Sequence, residues 1–161
     1  MPDEIQTLLS NCEGLLEGLL TLLVTVALHT GMRRGEQYRL RWQDINFQLG
    51  IITIPRSKNG ERRYIPMNST ARAALEVLNQ RKDDGGYVIP GDAGQRNKDP
   101  RRTFKAAVKE AGIAHFRYHD IRHTFASRLV MAGVDLRTVQ ELMGHKTIAM
   151  TVRYSHLAPS H

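Results

Sequence analysis

Five short stretches of this chain carry side chains whose types suit a single reaction. They are Thr30-Gly31-Met32-Arg33-Arg34-Gly35-Glu36, the turn lysine Lys58, His119-Asp120-Ile121-Arg122-His123-Thr124-Phe125-Ala126-Ser127, Leu142-Met143-Gly144-His145 and Arg153-Tyr154-Ser155-His156. Metal-free attack on a phosphodiester needs an oxygen nucleophile in line with the leaving 5′ oxygen. It also needs fixed cationic donors for the non-bridging oxygens and a proton for the leaving alkoxide. Arginine meets the need for donors, because its planar guanidinium stays charged and offers two parallel hydrogen bonds. Histidine and lysine can supply the proton, since their pKa values can be brought near neutrality. Tyrosine becomes a nucleophile once a neighbouring base or cation assists loss of its proton. Taken singly, each residue has a plainer reading. His119 and Arg122 share a helix face at a spacing of three, as many solvated pairs do. His145 follows Gly144 at a helix end and can cap carbonyls there. Tyr154 alone reads as a half-buried packing residue, Arg33 as a surface charge and Lys58 as a turn lysine.

These stretches must be held by elements that the hydrophobic periodicity and turn residues outline. Helices are expected over Pro2 to Ser10, Glu13 to His29 and Arg33 to Leu40, with Gly31 as the stop between the last two. Three strands follow: Trp42 to Phe47, then Gly50 to Pro55 and Glu61 to Met67 as a hairpin about the turn Ser57-Lys58-Asn59-Gly60. Asn68 or Ser69 caps a helix to about Lys82, and Asp83 to Lys98 holds most of a glycine-rich loop. Asp99 and Pro100 open a helix to Ala111, His119 to Met131 forms the next, and Asp135 caps one that ends at Gly144. A last helix is expected from Thr147 to Leu157. The fold class is α+β, mainly α: a helical domain with a small three-stranded antiparallel sheet.

At 161 residues the chain fits one domain with a buried core, and 41% hydrophobic and 24% charged residues are ordinary for a globular protein. Its 23 lysines and arginines against 16 acidic residues give +7, which favours a nucleic acid or an anionic membrane surface as partner. Basic residues gather in two places that fit a DNA surface, or a solvated basic face. Arg56, Lys58, Arg62 and Arg63 surround the hairpin, and Arg96, Lys98, Arg101, Arg102 and Lys105 surround a helix start whose backbone N–H groups can also bind phosphate. The single Cys12 rules out an internal disulfide and a cysteine zinc cluster, and suits a reducing cytoplasm, the expected location. The apolar run Leu15 to Leu28 is interrupted by Glu17 and too short for a bilayer, and it lacks a basic lead and a cleavage site. It reads as a buried helix, with no membrane partner.

The order of the five stretches, their local wording and the nine-residue step from His145 to Tyr154 resemble the tyrosine recombinase, or phage integrase, family from about Leu19 to Pro159. The resemblance implies that Arg33 is the first phosphate clamp with Glu36 as its supporting acid, and that Lys58 protonates the leaving oxygen. It implies likewise that His119 assists the nucleophile, Arg122 is the second clamp, His145 holds the phosphate or orients the tyrosine, and Tyr154 is the nucleophile. Cleavage and rejoining of double-stranded DNA through a transient 3′-phosphotyrosine follows as the expected activity, with no metal or other cofactor. Self-association on DNA, as a tetramer of the full-length enzyme, is expected too. Family members carry a second, small helical DNA-binding domain that these residues do not include, so the chain is expected to be an excised catalytic domain or a minimal member. Two other readings run through the same residues. A type IB topoisomerase would use this chemistry to relax supercoils, and glycine-histidine before the tyrosine with a compact hairpin speaks against it. A non-catalytic DNA-binding regulator would have no need of both Tyr154 and Lys58.

Overall fold

The computed structural model describes residues 2–14, 18–55, 61–90 and 100–160. Its first helices are α1 (Pro2–Cys12), α2 (Leu19–Thr30) and α3 (Arg34–Arg39). The strands β1 (Ile45–Asn46), β2 (Ile51–Ile54) and β3 (Arg63–Pro66) follow, and then α4 (Ser69–Gln80). The remainder is α5 (Pro100–Glu110), α6 (Tyr118–Met131), α7 (Leu136–Met143) and α8 (Ala149–Val152). The mainly helical class with a small antiparallel sheet is thus the observed one.

Helix α2 is apolar on nearly every side, and such a helix belongs in the interior. Leu20, Val24, Ala27 and Leu28 pack with Leu8 and Cys12 of α1, Phe104 and Ala107 of α5 and Ile121 of α6. Val26 faces the other way, into a cluster with Ile52, Ile54 and Ile65 of the sheet and Leu75 and Leu78 of α4. Each aliphatic side chain so buried contributes roughly 1.5–3 kcal/mol relative to exposure, so α2 is the pillar between two cores. A third cluster joins Phe125, Ala126 and Val130 of α6 to Val139 and Met143 of α7 and to Tyr154. Helix α6 therefore borders α2 on one side and the tyrosine on the other.

The sheet runs β1-β2-β3, antiparallel, with Ile52 opposite both Ile45 and Ile65. Several boundaries differ from expectation. Trp42–Asp44 is a 3-10 turn rather than strand, because the Asp44 carboxylate accepts a hydrogen bond from the Arg41 N–H at 3.0 Å and draws the backbone into a turn. Only Ile45 and Asn46 pair with β2, before the Asn46 side chain accepts from the Leu49 N–H and starts the next turn. The hairpin ladder closes at Ile54 opposite Arg63, one step short of Pro55, which has no N–H to donate. The turn itself, with Ser57, Lys58, Asn59 and Gly60, lies outside the described residues, as does Asp99 before α5.

Two helix caps fall where expected. Asn68 and Asp135 accept from the Ala71 and Thr138 N–H groups at 2.8 and 2.9 Å. Helix α2 begins at Leu19 rather than Glu13, after Gly18 in a left-handed conformation at φ 78°. The last expected helix is broken: α8 ends at Val152 and a 3-10 turn covers Ser155–Leu157, so Tyr154 sits in the joint between them. Bonds from the Tyr154 N–H to the Thr151 carbonyl and from the Leu157 N–H to the Tyr154 carbonyl, both i to i−3, tighten the backbone there. Among the described residues no helix is long and apolar enough to cross a membrane.

Candidate active site

The sequence places Arg33 immediately after a forced stop. Gly31 ends α2 at φ 64°, and a β-carbon there would stand 2.3 Å from the Phe125 ring of α6. Only glycine fits so close to that ring in that conformation, and the close approach brings the end of α2 down onto α6. Arg33 then occupies the N-cap of α3, and Glu36 reaches back to it. The Arg33 N–H and Nη1 donate to the two Glu36 carboxylate oxygens at 2.8 and 3.0 Å. Arg63 of β3 donates to the same two oxygens from Nη1 and Nη2, at 2.6 and 2.8 Å. Burial pushes the Glu36 carboxyl upward, but hydrogen bonds and charge from Arg63 and Arg33 outweigh it and hold the group at about 2.

Three guanidiniums converge on the C-terminal end of α7, whose last carbonyls lack helical partners and carry the negative end of the helix dipole. Arg63 Nε donates to the Leu142 carbonyl at 3.1 Å, Arg122 Nη2 to that of Met143, and Arg33 Nη2 to that of Gly144 at 3.1 Å. Arg122 also donates from Nη1 to the Gly31 carbonyl, so one side chain of α6 ties both turns together. It is buried at 5% exposure, and burial with the charges of Arg33 and Arg63 lowers its pKa to about 9, still protonated at neutral pH. A buried polar chain fixes the start of α6: Tyr118 donates to Gln37 at 2.6 Å, and Gln37 donates to the Leu23 carbonyl at 2.8 Å.

On the other side of Arg122 lies the tyrosine. Tyr154 is buried to 6% exposure among Phe125, Ala126 and Met143, and Arg153 lies 5.5 Å from its ring centroid. Burial raises its pKa, while the charges of Arg153 and Arg122 oppose that rise. Its hydroxyl shares a hydrogen bond with Nδ1 of His123. Burial, His119 and Arg153 lower the His123 pKa, which favours the neutral ring that can accept a proton. The ring of His119 stands edge-on to that of His123, at 5.0 Å between centroids. His145 follows Gly144, and its Nδ1 pairs with the buried Thr151 hydroxyl at 2.8 Å. Burial and the charges of Arg122 and Arg33 lower its pKa to about 4.

The structure thus gathers Arg33, Glu36, His119, Arg122, His145 and Tyr154 at one place, from stretches more than a hundred residues apart. Lys58, Arg56, Arg96 and Lys98 lie outside the described residues. Arg62, Arg101 and Arg102 are exposed, as a binding surface requires. Arg101 and Arg102 line an open groove of about 940 Å³ between α5 and the start of α6, floored by Phe104, Phe116 and Tyr118 and reaching His119. One expectation needs correction, and one residue was missed. Arg63 was expected at the DNA surface, but its side chain is 11% exposed and turned inward, because the buried Glu36 carboxylate draws it. The imidazole in contact with Tyr154 is that of His123, a residue to which the sequence reading gave no role. The sequence held a signal for it: His123 stands four residues after His119, one turn along the same helix face.

A family model described as the phage integrase family matches residues 1–161. The integrase of Salmonella phage P22 is 35% identical over 173 residues, covering 99% of this chain and 44% of that protein. Tyrosine recombinase XerC of Xanthomonas campestris pv. campestris is 36% identical over 146 residues, covering 86% of this chain and 44% of that one. The chain therefore spans less than half the length of these two relatives. The catalytic domain of bacteriophage HP1 integrase superposes with a TM-score of 0.80 at 30% identity, covering 100% of this chain and 88% of that domain. By the match along its whole length, the chain belongs to the phage integrase family.

Proposed function

We propose that this chain is the catalytic portion of a site-specific DNA recombinase, which cleaves and rejoins duplex DNA through a 3′-phosphotyrosine on Tyr154. The observation that carries this reading is the convergence of two arginines, Arg33 and Arg122, with His145 and the buried Tyr154, whose hydroxyl is hydrogen-bonded to His123. In the forward step the Tyr154 oxygen bonds to the scissile phosphorus and the bond to the 5′ oxygen breaks. The tyrosine proton passes to His123 Nδ1, and the leaving oxygen takes a proton from Lys58. Arg33 and Arg122 meet the non-bridging oxygens, with His119 and neutral His145 at the same phosphate as further donors. Rejoining is the reverse, with a 5′ hydroxyl as nucleophile. The catalytic set does not call on a metal, because guanidinium and ammonium groups supply the positive charge. Exposed Arg62, Arg101 and Arg102 are assigned to the DNA backbone, with Arg56, Arg96 and Lys98 as further contacts. Strand exchange by a tetramer on DNA, in a reducing cytoplasm where buried Cys12 stays a thiol, completes the proposal.

The test is trapping on a suicide duplex nicked next to the cleavage point, read as a protein–DNA adduct that survives denaturant. The wild-type chain should form adduct in excess EDTA, and Tyr154→Phe should form none while still binding DNA. Adduct mapped to Tyr38, Tyr64, Tyr87 or Tyr118, or strict dependence on a divalent ion, would overturn the assignment.

A further inference from the structure

We propose that Arg63 is a positioning residue: by occupying the Glu36 carboxylate from the hairpin side, it leaves Arg33 free to hold the scissile phosphate. The inference rests on the phosphotyrosine reading and concerns a side chain that this reading alone would leave as one more basic residue. A carboxylate offers about four acceptor positions on its two oxygens. At Glu36, whose side chain is 5% exposed, Arg63 fills two of them, the Arg33 N–H a third and Arg33 Nη1 only the fourth. Arg33 spends one further donor on the Gly144 carbonyl. Of the five N–H groups in its guanidinium, the other three are unengaged among the described residues, and the side chain is 39% exposed.

Removing Arg63 would vacate half of a buried carboxylate. The nearest cation able to fill the gap is Arg33, and a two-pronged Arg–carboxylate pair is stronger and more directional than a single bond. Arg33 would turn onto Glu36 and withdraw its free donors from the phosphate. Arg63 has a second hold on the site. Its Nε donates to the Leu142 carbonyl, and its Cδ lies where a β-carbon on Gly144 would come within 3.0 Å. Since Lys58 stands five residues before Arg63 in the sequence, Arg63 also ties the strand nearest the proposed proton donor to the segment that carries His145.

The experiment compares Arg63→Ala, Arg63→Lys and the double variant Arg63→Ala/Glu36→Gln in single-turnover adduct formation at saturating suicide DNA, with DNA affinity measured across salt concentrations. Arg63→Ala should slow adduct formation roughly a hundredfold, as misplacement of a catalytic group does, with affinity and its salt dependence unchanged. Arg63→Lys should restore little, since a point charge cannot span both carboxylate oxygens. The double variant should regain roughly tenfold over Arg63→Ala, the coupling expected within one ion-pair network, because a neutral amide no longer captures Arg33. It also removes the buried carboxylate together with its Arg63 partner, so neither of that pair is left alone. A double variant no faster than Arg63→Ala would overturn the proposal. So would loss of about one phosphate contact from the salt slope, which would make Arg63 a DNA contact after all. If the wild-type chain forms no adduct, the phosphotyrosine reading fails separately. A crystal structure of Arg63→Ala then decides the inference: Arg33 must pair through two nitrogens with Glu36, and Arg33 still bonded to Gly144 would sink it.

Discussion

In the proposed reaction the side chains around Tyr154 differ in which atom they serve, and that difference is measurable. On the proposed mechanism Arg33 and Arg122 meet the non-bridging oxygens, so replacing either with Ala should remove a preorganised charged donor, worth about 3–4 kcal/mol or roughly a hundred- to a thousandfold in rate. Lys in their place should rescue poorly. Lys58→Ala is expected to be slow on ordinary DNA but largely restored on a substrate with a bridging 5′ sulfur, which leaves without a proton. His123→Ala should stay slow on both substrates, because its partner is the attacking hydroxyl and not the leaving group. Adduct rates for the four variants on the two substrates decide the matter. Equal sulfur rescue of the arginine variants and Lys58→Ala would strip Lys58 of its role and pass it to His119 or His145.

Among the elements, the junction of α2 with α6 does most to set the geometry. Gly31 lets α2 end against Phe125 and hands its carbonyl to Arg122, while Thr30 closes the helix by donating to the Val26 carbonyl at 2.6 Å. Gly31→Ala is therefore expected to cost at least about 1–2 kcal/mol from the left-handed backbone alone, plus whatever displaces the Phe125 ring. The change should slow adduct formation as well, since Arg33 and Arg122 both hang on this turn. Urea denaturation of Gly31→Ala beside Phe125→Leu/Gly31→Ala tests the account. Relief of the clash should recover part of the loss and leave the backbone share. A single variant within about 0.5 kcal/mol of wild type would contradict it.

For the molecule as a whole, the same ion pairs tie stability to pH. Glu36 falls from an ordinary 4.5 to about 2, so it contributes stability that is fully present above 4.5 and lost as pH drops through 2. His145 falls from 6.5 to about 4, and its neutral form contributes stability lost between those values on acidification. Both act in one direction, and melting temperature should decline from about pH 6.5 down to pH 2, in two overlapping stages. Glu36→Gln should lower the plateau and flatten the stage below 4.5. Differential scanning calorimetry at intervals of pH would reveal this, and an unchanged acid slope in Glu36→Gln would show that its pairing with Arg33 and Arg63 adds nothing to the acid response.

Much of this protein was legible in one dimension because the decisive signals are local. The apolar run that makes α2 a buried helix, the caps at Asn68 and Asp135, the stop at Gly31 and the antiparallel hairpin all follow from neighbours a few residues apart. The order and spacing of Arg33, Lys58, His119, Arg122, His145 and Tyr154 likewise stand in the sequence and pointed to the family. Where the sequence misled, distant partners decided. Arg63 reads as one basic residue among several until folding brings Glu36, 27 positions away, within 2.6 Å of it. His123 looks like a neighbour of the motif until α8 ends early and turns Tyr154 back onto α6. A charge goes wherever a buried opposite charge or an unpaired carbonyl awaits it. Which groups are buried together is settled by the packing of α2, α6 and α7, so only the tertiary structure could separate the inward-turned Arg63, 11% exposed on Glu36, from Arg33, 39% exposed beside it.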